Sequence, residues 1–404
     1  VQANGINDAI VGQPRRCDGE QREDHKSECA GNEERVSEDA IRFGVADERA
    51  AALVASVSAE PRGFASDNRS GVHPEVMEAI ARANDGHAPS YGDDGWTKRA
   101  EGLFREHFGP DAVAYPVFNG TGANVLAIDA LTRRYEAVIC AGGAHIAVDE
   151  GGAPERHSGV KLLTVEVEEG KLTPADVADW ESRRGDKHAA QPRLVSVSQA
   201  TEVGTVYTRA ELTALSDAAH DLGMLLHVDG ARLANAAASL GTGLGEITTE
   251  AGADAVSFGA TKNGGLVGDV IVFLRPGMAP DFEWTRKQGM QLASKTRFIS
   301  AQLEAMLGPG DLWRRTAEHA NAMAARLGEG LEAIDGATLA WPVQANGVFA
   351  ALPRPAIDAL MRDLPGEHPF YVWDEERDVV RWLCSWDTNE EDVEGLLAAV
   401  RRNL

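Results

Sequence analysis

"MLLHVDGARLANA", Met224–Ala236, is the stretch that decides the fold, because a short apolar run there ends on Asp229 and a glycine. A short apolar run bounded in this way is typical of a buried strand. A carboxylate at the end of a buried strand is costly unless it has a cationic or hydrogen-bonding partner. Asp229 is therefore either the N-cap of a helix that begins at Ala231 or the counter-ion of a cationic group in a cleft.

Other short apolar or β-branched runs flank this strand, and longer helical patterns separate them. This alternation is the signature of crossover units around a mostly parallel sheet, so the sequence predicts an α/β fold. The predicted strands lie at 112–118, 137–140, 161–167, 193–199, 224–230, 255–259 and 269–274, and the helices between them at 124–134, 208–223 and 296–307.

The C-terminal part of the chain has a different pattern, with a long helix, two short strands and a final helix predicted at 312–334, 347–352, 379–386 and 389–404. We therefore predict a large domain over 61–305 and a smaller α+β domain over 306–404. The first sixty residues show no sustained periodicity apart from a helix candidate at 47–60, so 1–60 is predicted to be a disordered or loosely packed extension.

Composition limits the classes of function. A formal net charge of −24 argues against the attraction to phosphate backbones that nucleic-acid binding needs. We find no apolar run of about eighteen residues and no hydrophobic leader, so we expect no membrane span and a cytoplasmic location. Cys17, Cys29, Cys140 and Cys384 lack the close spacing of a zinc site and are predicted to be free thiols, with no metal bound.

A second strand end, "SFGATKNG" over Ser257–Gly264, carries Lys262. Ligands of parallel sheets bind outside the carboxyl ends of the strands, so Lys262 and Asp229 are expected to meet in one crevice. Lys262 is either a solvated turn residue or a partly desolvated amine that forms a Schiff base. The pair of Lys262 and Asp229 indicates a pyridoxal phosphate site, with the carboxylate keeping the pyridine nitrogen protonated.

Three further features follow strands of the predicted sheet. Gly120 and Thr121 open a helix whose free N–H groups suit a phosphate, although a glycine-rich turn alone is weak evidence. His145 is either an ordinary loop histidine or a group that stacks on a flat ring and transfers protons. Arg232 is either an anion-binding fork or a member of an ordinary ion pair.

In their order and spacing, these motifs resemble those of the threonine aldolases from about Phe64 to the C-terminus, most closely the bacterial low-specificity L-threonine aldolases. The resemblance implies the three-layer, mostly parallel fold of the aspartate aminotransferase-like (fold type I) pyridoxal phosphate enzymes. The stretches that carry it include "FASDNRSGVHPEV", "SYGDDGWT", "NGTGANVLA", "AHIAVDEGGAPE", "SQATEVGTVYT", "HVDGARLANA", "SFGATKNG", "SKTRFISAQ" and "VRWLCSWDTNEEDV".

The resemblance also implies a role for each matching residue. Lys262 would form the internal aldimine, Asp229 would pair with the pyridine nitrogen, and His145 would stack on the ring. For the cofactor, the resemblance implies that Gly120 and Thr121 hold the phosphate, that Arg232 contacts the phenolic oxygen and also the substrate, and that Lys287 and Arg297 reach the phosphate side from a neighbouring subunit. For the substrate, it implies that Ser66 and Arg381 bind the carboxylate, that Tyr91 lies at the mouth of the site and that His188 lies near the hydroxyl.

The implied reaction is cleavage of L-threonine, L-allo-threonine and other β-hydroxy-α-amino acids to glycine and an aldehyde. His145 is the first candidate for the base and His188 the second. The implied assembly is a homodimer or homotetramer with active sites at the dimer interface. The alternatives are another fold type I enzyme (a β-eliminating lyase, an aminotransferase or a serine hydroxymethyltransferase-like enzyme) and a binding or regulatory protein that keeps the fold without catalysis.

Overall fold

The computed structural model describes residues 62–364 and 369–404. The predicted extension over 1–60, its helix candidate, Cys17 and Cys29 lie outside these residues. Cys140 and Cys384 are buried free thiols, as expected. None of the described helices is long and apolar enough to cross a membrane.

The helices and strands of the chain up to the third 3-10 turn are, in order, α1 (Pro74–Ala83), α2 (Gly95–Phe108), β1 (Val113–Val117), α3 (Gly120–Leu131), β2 (Glu136–Ala141), α4 (His145–Val148), α5 (Ala153–Ser158), β3 (Lys161–Val165), α6 (Pro174–Ala178), β4 (Gln191–Ser198), α7 (Arg209–Asp221), β5 (Leu225–Gly230), α8 (Leu233–Leu240) and β6 (Ala255–Phe258). The 3-10 turns are Asp67–Arg69, Glu181–Arg183 and Thr261–Asn263.

The remaining elements are β7 (Asp269–Phe273), α9 (Phe282–Gln288), α10 (Arg297–Leu307), α11 (Leu312–Glu332), β8 (Thr338–Leu339), β9 (Gly347–Ala351), α12 (Arg354–Asp363), β10 (Tyr371–Asp374), β11 (Val379–Leu383) and α13 (Glu390–Asn403).

The large sheet has the strand order β1-β7-β6-β5-β4-β2-β3, and only β7 among its strands runs against the others. The inner strands β2, β5, β6 and β7 are buried on both faces, because their successive side chains point to opposite sides and both sides are covered. On β2, for example, Ile139 packs into one apolar cluster, whereas Val138 and Cys140 pack into another. Helices cover each cluster, which gives three layers.

The second sheet is small and antiparallel, with the order β10-β11-β9-β8. Its apolar face packs against α11, α12 and α13 through side chains such as Leu327, Ile357 and Leu396. The large mostly parallel sheet and this C-terminal unit confirm the predicted fold class. The boundaries at residues 60 and 305 stay a prediction.

All seven strands predicted for the large sheet are present, but the reversed direction of β7 was not foreseen. Periodicity reports which side chains are buried and not the direction in which a strand runs. Helices α1 and α2 were also missed. Helix α1 has Pro74 at its first position and α2 has Asp94 as its N-cap, so both carried start signals.

The central pair of strands, β5 and β6, runs in parallel with Asp229 opposite Ser257. Beyond the ends of these strands the two backbone segments stay in contact, since Gly259 N donates to Gly230 O at 3.0 Å. A Cβ atom added to Gly259 would lie 2.4 Å from the carbonyl oxygen of Ala231. Only glycine fits this approach, which holds the two strand ends together.

We therefore predict that Gly259→Ala destabilises the protein by about 1–3 kcal/mol or more, because a backbone neighbour cannot swing aside as a side chain can. The matched control is Gly102→Ala in α2, where a Cβ meets nothing within 4 Å. The control is expected to be neutral or to stabilise by up to about 1 kcal/mol, because alanine favours helix. Denaturant unfolding of both variants checks this, and equal stabilities would contradict it.

Candidate active site

A cavity of about 560 Å³ lies at the carboxyl ends of β5 and β6. Five of the residues predicted from the sequence line it: Gly120, Thr121, His145, Asp229 and Lys262. They come from four separate strand ends, as expected for a ligand site on a parallel sheet. Phe118, Asn119, Ser257, Leu266, Val267 and Asp269 are among the other lining residues.

Lys262 lies half-buried on the 3-10 turn that follows β6. The carboxylate of Asp269 fixes this turn, accepting the backbone N–H groups of Ala260 and Thr261 at 2.9 and 3.2 Å. The positive charge of Arg232, followed by burial, lowers the pKa of the Lys262 amine. A lysine in this setting yields the neutral, nucleophilic amine more readily than a solvated one.

Asp229 is buried at the end of β5, with hydrogen bonds to both carboxylate oxygens. Its Oδ1 accepts the N–H of Ala231 at 3.0 Å, and its Oδ2 accepts Nδ2 of Asn124 at 2.8 Å. The following helix begins at Leu233, with Arg232 in the cap position, so Asp229 is not its N-cap. The carboxylate instead faces the cavity that holds Lys262.

His145 begins the short helix α4, and two carboxylates hold it. Its backbone N–H donates to Oε1 of Glu202 at 2.8 Å, and its Nδ1 lies 2.9 Å from Oε1 of Glu150. The hydrogen bond with Glu150 is the main reason that the pKa of His145 is raised, although burial opposes it. The ring remains partly accessible from the cavity.

The amino end of α3 offers donors to an anion. Oδ1 of Asn119 accepts the N–H of Gly122 at 2.7 Å, and the Asn119 carbonyl accepts the N–H of Ala123. The N–H groups of Gly120 and Thr121 have no intrahelical partner, because the first turn of a helix leaves its donors free. Gly120 and Thr121 both line the cavity, so these N–H groups and the positive end of the helix dipole lie at its wall.

Arg232 and Arg381 line a second, narrower pocket. Arg232 holds Asp67 through two hydrogen bonds, Nε to Oδ2 at 2.7 Å and Nη2 to Oδ1 at 3.0 Å. Burial acts to raise the pKa of Asp67. The charge and the hydrogen bonds of Arg232, together with weaker effects of other groups, outweigh burial, so the pKa of Asp67 is lowered. Arg232 thus forms an ion pair with Asp67 in which its Nη1 takes no part, and its contact with the phenolic oxygen and the substrate stays a prediction.

Arg381 extends from β11, and its guanidinium carbon lies 5.1 Å from the ring centre of Tyr371 and 5.0 Å from that of Trp373. Its buried Nε has no hydrogen-bond partner within 62–364 and 369–404. Burial, followed by the charge of Arg232, lowers the pKa of Arg381. An incoming carboxylate would satisfy Nε and relieve the repulsion between the two guanidinium groups.

Ser66 lies next to this arrangement in sequence, and its Oγ accepts the N–H of Asn68 at 3.2 Å, which leaves its hydroxyl proton to donate. Ser66 lies outside the linings of both pockets, as do Tyr91, Lys287 and Arg297. Tyr91 is 49% exposed, with Nζ of Lys287 5.0 Å from its ring centre. Arg297 donates to the carbonyl of Gly86 at 3.3 Å. This chain alone does not bring the side chains of Tyr91, Lys287 and Arg297 to Lys262.

His188 lies outside the linings of both pockets in this chain. It is exposed and lies just before β4, at the amino end of that strand, whereas Ser198 at the carboxyl end pairs with Asp229. The length of β4, at about 3.3 Å per residue, separates His188 from the cavity. The structure therefore does not support His188 as a second active-site histidine.

Sequence reasoning missed several charged or polar residues of the site: Asp67, Asn124, Glu150, Glu202 and Asp269. Two signals were available, because Asp67 directly follows Ser66 and Glu150 lies in the same short motif as His145. Asn124 and Glu202 lie within the quoted stretches "NGTGANVLA" and "SQATEVGTVYT", and Asp269 lies seven residues after Lys262, but the spacing does not show which groups these side chains contact.

Comparison with known proteins places the chain in a family. The Beta-eliminating lyase family matches residues 63–353. A "Low specificity L-threonine aldolase" of Pseudomonas aeruginosa is 47% identical over 84% of this chain and 96% of its own length. The threonine aldolase structure from Leishmania major is 33% identical, with a TM-score of 0.79, and covers 85% of this chain and 99% of its own.

A more distant structure, of Oryza sativa TDC with PLP and tryptamine, shares the fold with a TM-score of 0.66. It is 13% identical and covers 84% of this chain and 83% of its own. Together with the strand-end site, the matched family and the identity to the Pseudomonas protein lead to one conclusion. The chain belongs to the beta-eliminating lyase family and, within it, to the low-specificity L-threonine aldolases.

Proposed function

We propose that this protein uses pyridoxal phosphate to cleave L-threonine, L-allo-threonine and other β-hydroxy-α-amino acids between Cα and Cβ, giving glycine and an aldehyde. The observation that carries the proposal is the meeting of Lys262, Asp229 and His145 in one cavity. The 47% identity to a low-specificity L-threonine aldolase supports the choice of substrate.

The residues present fit the cofactor. Lys262 offers an amine of lowered pKa for its aldehyde carbon, and Asp229 offers a buried carboxylate for its ring nitrogen. The free N–H groups of Gly120 and Thr121 suit its phosphate, and Nη1 of Arg232 suits its phenolic oxygen. When bound, the cofactor supplies an electron sink for the pair released as Cα–Cβ breaks.

Orientation decides which bond of the substrate breaks. Arg381 offers an unpartnered Nε to a planar carboxylate, and the hydroxyl of Ser66 completes its orientation. Holding the carboxylate fixes the rotation about the bond from Cα to nitrogen. The fixed substrate then presents Cα–Cβ for cleavage.

His145 is the base that takes the proton from the β-hydroxyl oxygen. It must be neutral to do so, and its raised pKa makes the neutral ring a stronger base. Two carboxylates hold the residue, through its backbone N–H and its Nδ1, which leaves Nε2 for the substrate. The proton removed from the hydroxyl balances the proton added at Cα, so one substrate molecule gives one glycine and one aldehyde.

The assembly is a homodimer or homotetramer in which a neighbouring subunit completes the site with Tyr91, Lys287 and Arg297. Support comes from exposed apolar side chains at the cavity, where Leu266 and Val267 are 50% and 42% exposed. Met290, close in sequence to Lys287, is 72% exposed. A cytoplasmic location and the absence of nucleic-acid partners stay predictions from the sequence.

We predict that Lys262→Ala abolishes the visible absorbance band that the wild-type protein shows with pyridoxal phosphate, and lowers cleavage of L-threonine at least 10³-fold, as loss of a covalent-catalysis group does. The exposed Lys161→Ala is the control and is expected to behave as wild type. Glycine and acetaldehyde in equal amounts are the expected wild-type products. Formation of ammonia and an oxo acid would point to β-elimination, and a wild-type protein that never binds the cofactor would point to the non-catalytic alternative.

Arg381→Ala is predicted to raise the KM for L-threonine about 10–100-fold, because the charged hydrogen bonds to the carboxylate, about 1.5–3 kcal/mol each, are lost. Arg381→Lys is expected to recover only part of this, since lysine lacks the planar fork. The exposed Arg377→Ala serves as control. Steady-state kinetics decide, and a KM unchanged in Arg381→Ala would exclude Arg381 as the carboxylate ligand.

The pH dependence separates the two histidines. The pKa of His145 is raised, so kcat/KM is predicted to fall as the pH decreases through a value above the ordinary histidine pKa of about 6.5. His145→Gln should lose this acid limb together with most of the activity, whereas His188→Gln should retain both. An acid limb that survives in His145→Gln but disappears in His188→Gln would reverse the assignment.

A further inference from the structure

Glu150 lies in the wall of the active site with its side chain fully buried. One of its oxygens, Oε1, makes two hydrogen bonds, accepting Nδ2 of Asn124 at 2.8 Å and lying 2.9 Å from Nδ1 of His145. The same Nδ2 of Asn124 also donates to Oδ2 of Asp229 at 2.8 Å. A continuous hydrogen-bonded chain therefore joins His145 to Asp229 through Glu150 and Asn124.

We infer that Glu150 is a positioning residue that fixes the proton of the neutral His145 ring on Nδ1 and leaves Nε2 as the free acceptor. The ring assignment follows from the donors and acceptors present. Oε1 already accepts a hydrogen bond from Asn124, and Glu150 as an ionised carboxylate has no proton to donate to the ring. Nδ1 must then be the donor.

The second oxygen of Glu150 supports this arrangement. Oε2 is buried and has no hydrogen-bond partner in the described part of the chain. A proton placed there would be a buried donor with nothing to receive it, which is unfavourable. Oε1 is therefore the oxygen through which Glu150 acts, and it acts on both His145 and Asn124.

Four charged groups surround His145. Glu150 and Asp229 favour its protonated form, and Lys262 opposes it. Glu202 holds the backbone from the other side, where its Oε1 also accepts the hydroxyl of Ser198 at 2.6 Å. Glu150 is the group in direct contact with the ring, so removing its charge should change the basicity of His145 more than any remote substitution.

The inference rests on the proposed function only where it takes Nε2 as the catalytic base. The position of the ring proton can be measured in the protein without substrate. Glu150→Gln keeps the shape of the side chain and removes the charge. Glu155→Gln is the matched control, since it removes the same charge from an exposed side chain in α5. The full-length protein, labelled with ¹⁵N at histidine, is titrated by NMR, and the His145 signals are assigned by their loss in His145→Gln.

The expected wild-type result is a neutral His145 with its proton on Nδ1. In Glu150→Gln we expect the His145 pKa to fall by about 1 unit or more, the usual effect of an adjacent carboxylate. Glu155→Gln should leave it unchanged. A wild-type ring with its proton on Nε2, or a His145 pKa equal in Glu150→Gln and wild type, overturns the inference. The first of these results needs no variant, so misfolding of Glu150→Gln does not protect the inference.

The pH profile of kcat/KM for the cofactor-loaded enzyme then separates this inference from the proposed function. If the acid limb moves to lower pH in Glu150→Gln by the shift seen in the NMR titration, both are supported. If the titration shifts and the acid limb does not, the positioning role of Glu150 stands and the assignment of His145 as the base fails. A purely structural Glu150 would lower the unfolding temperature and leave the tautomer and the pKa unchanged.

Discussion

The parallel pairing of β5 with β6 is the constraint on which the rest of the site depends. It sets Asp229 opposite Ser257. The close approach of Gly259 to Ala231 keeps the two backbone segments together beyond the strands. Lys262 then follows on a turn that Asp269 fixes. The distance between a carboxylate and an amine far apart in sequence is thus set by backbone geometry, which flexible loops could not hold as well.

The electrostatics of the site follow from buried charged side chains, some of which have a partner of opposite charge and some of which do not. Arg232 is matched by Asp67, but Arg381 has a buried Nε without a partner, and Lys262 has the charge of Arg232 close by. The result is an excess of positive charge where a substrate carboxylate would bind and a lysine that gives up its proton readily. The surroundings of His145 have the opposite effect, because nearby carboxylates favour its protonated form. One cavity thus holds an amine of lowered pKa and an imidazole of raised pKa, a separation typical of acid–base sites.

The sequence contained most of the fold, because buried parallel strands leave continuous apolar runs that end on functional residues such as Asp229 and Lys262. It did not contain the reversed direction of β7, since side-chain periodicity is the same in either direction. His188 is expected at the site only from the resemblance, and its place at the amino end of β4 keeps it away from the cavity. Asp67 binds Arg232, which only the folded chain brings near. Glu150 lies close to His145 in sequence, but its contact with Asn124 also depends on the fold. Tyr91 and Lys287 lie outside the cavity lining of a single chain, so the role proposed for them would need a subunit contact that spacing cannot give.

The claim that Lys262 and Asp229 together form a pyridoxal phosphate site is tested most directly by chemical trapping. The protein is incubated with the cofactor, reduced with borohydride and digested, and the peptides are analysed by mass spectrometry. The account predicts a single cofactor adduct on the peptide that contains Lys262, formed in much lower yield in Asp229→Ala. An adduct on a different lysine, or no adduct on a folded wild-type protein, would contradict it.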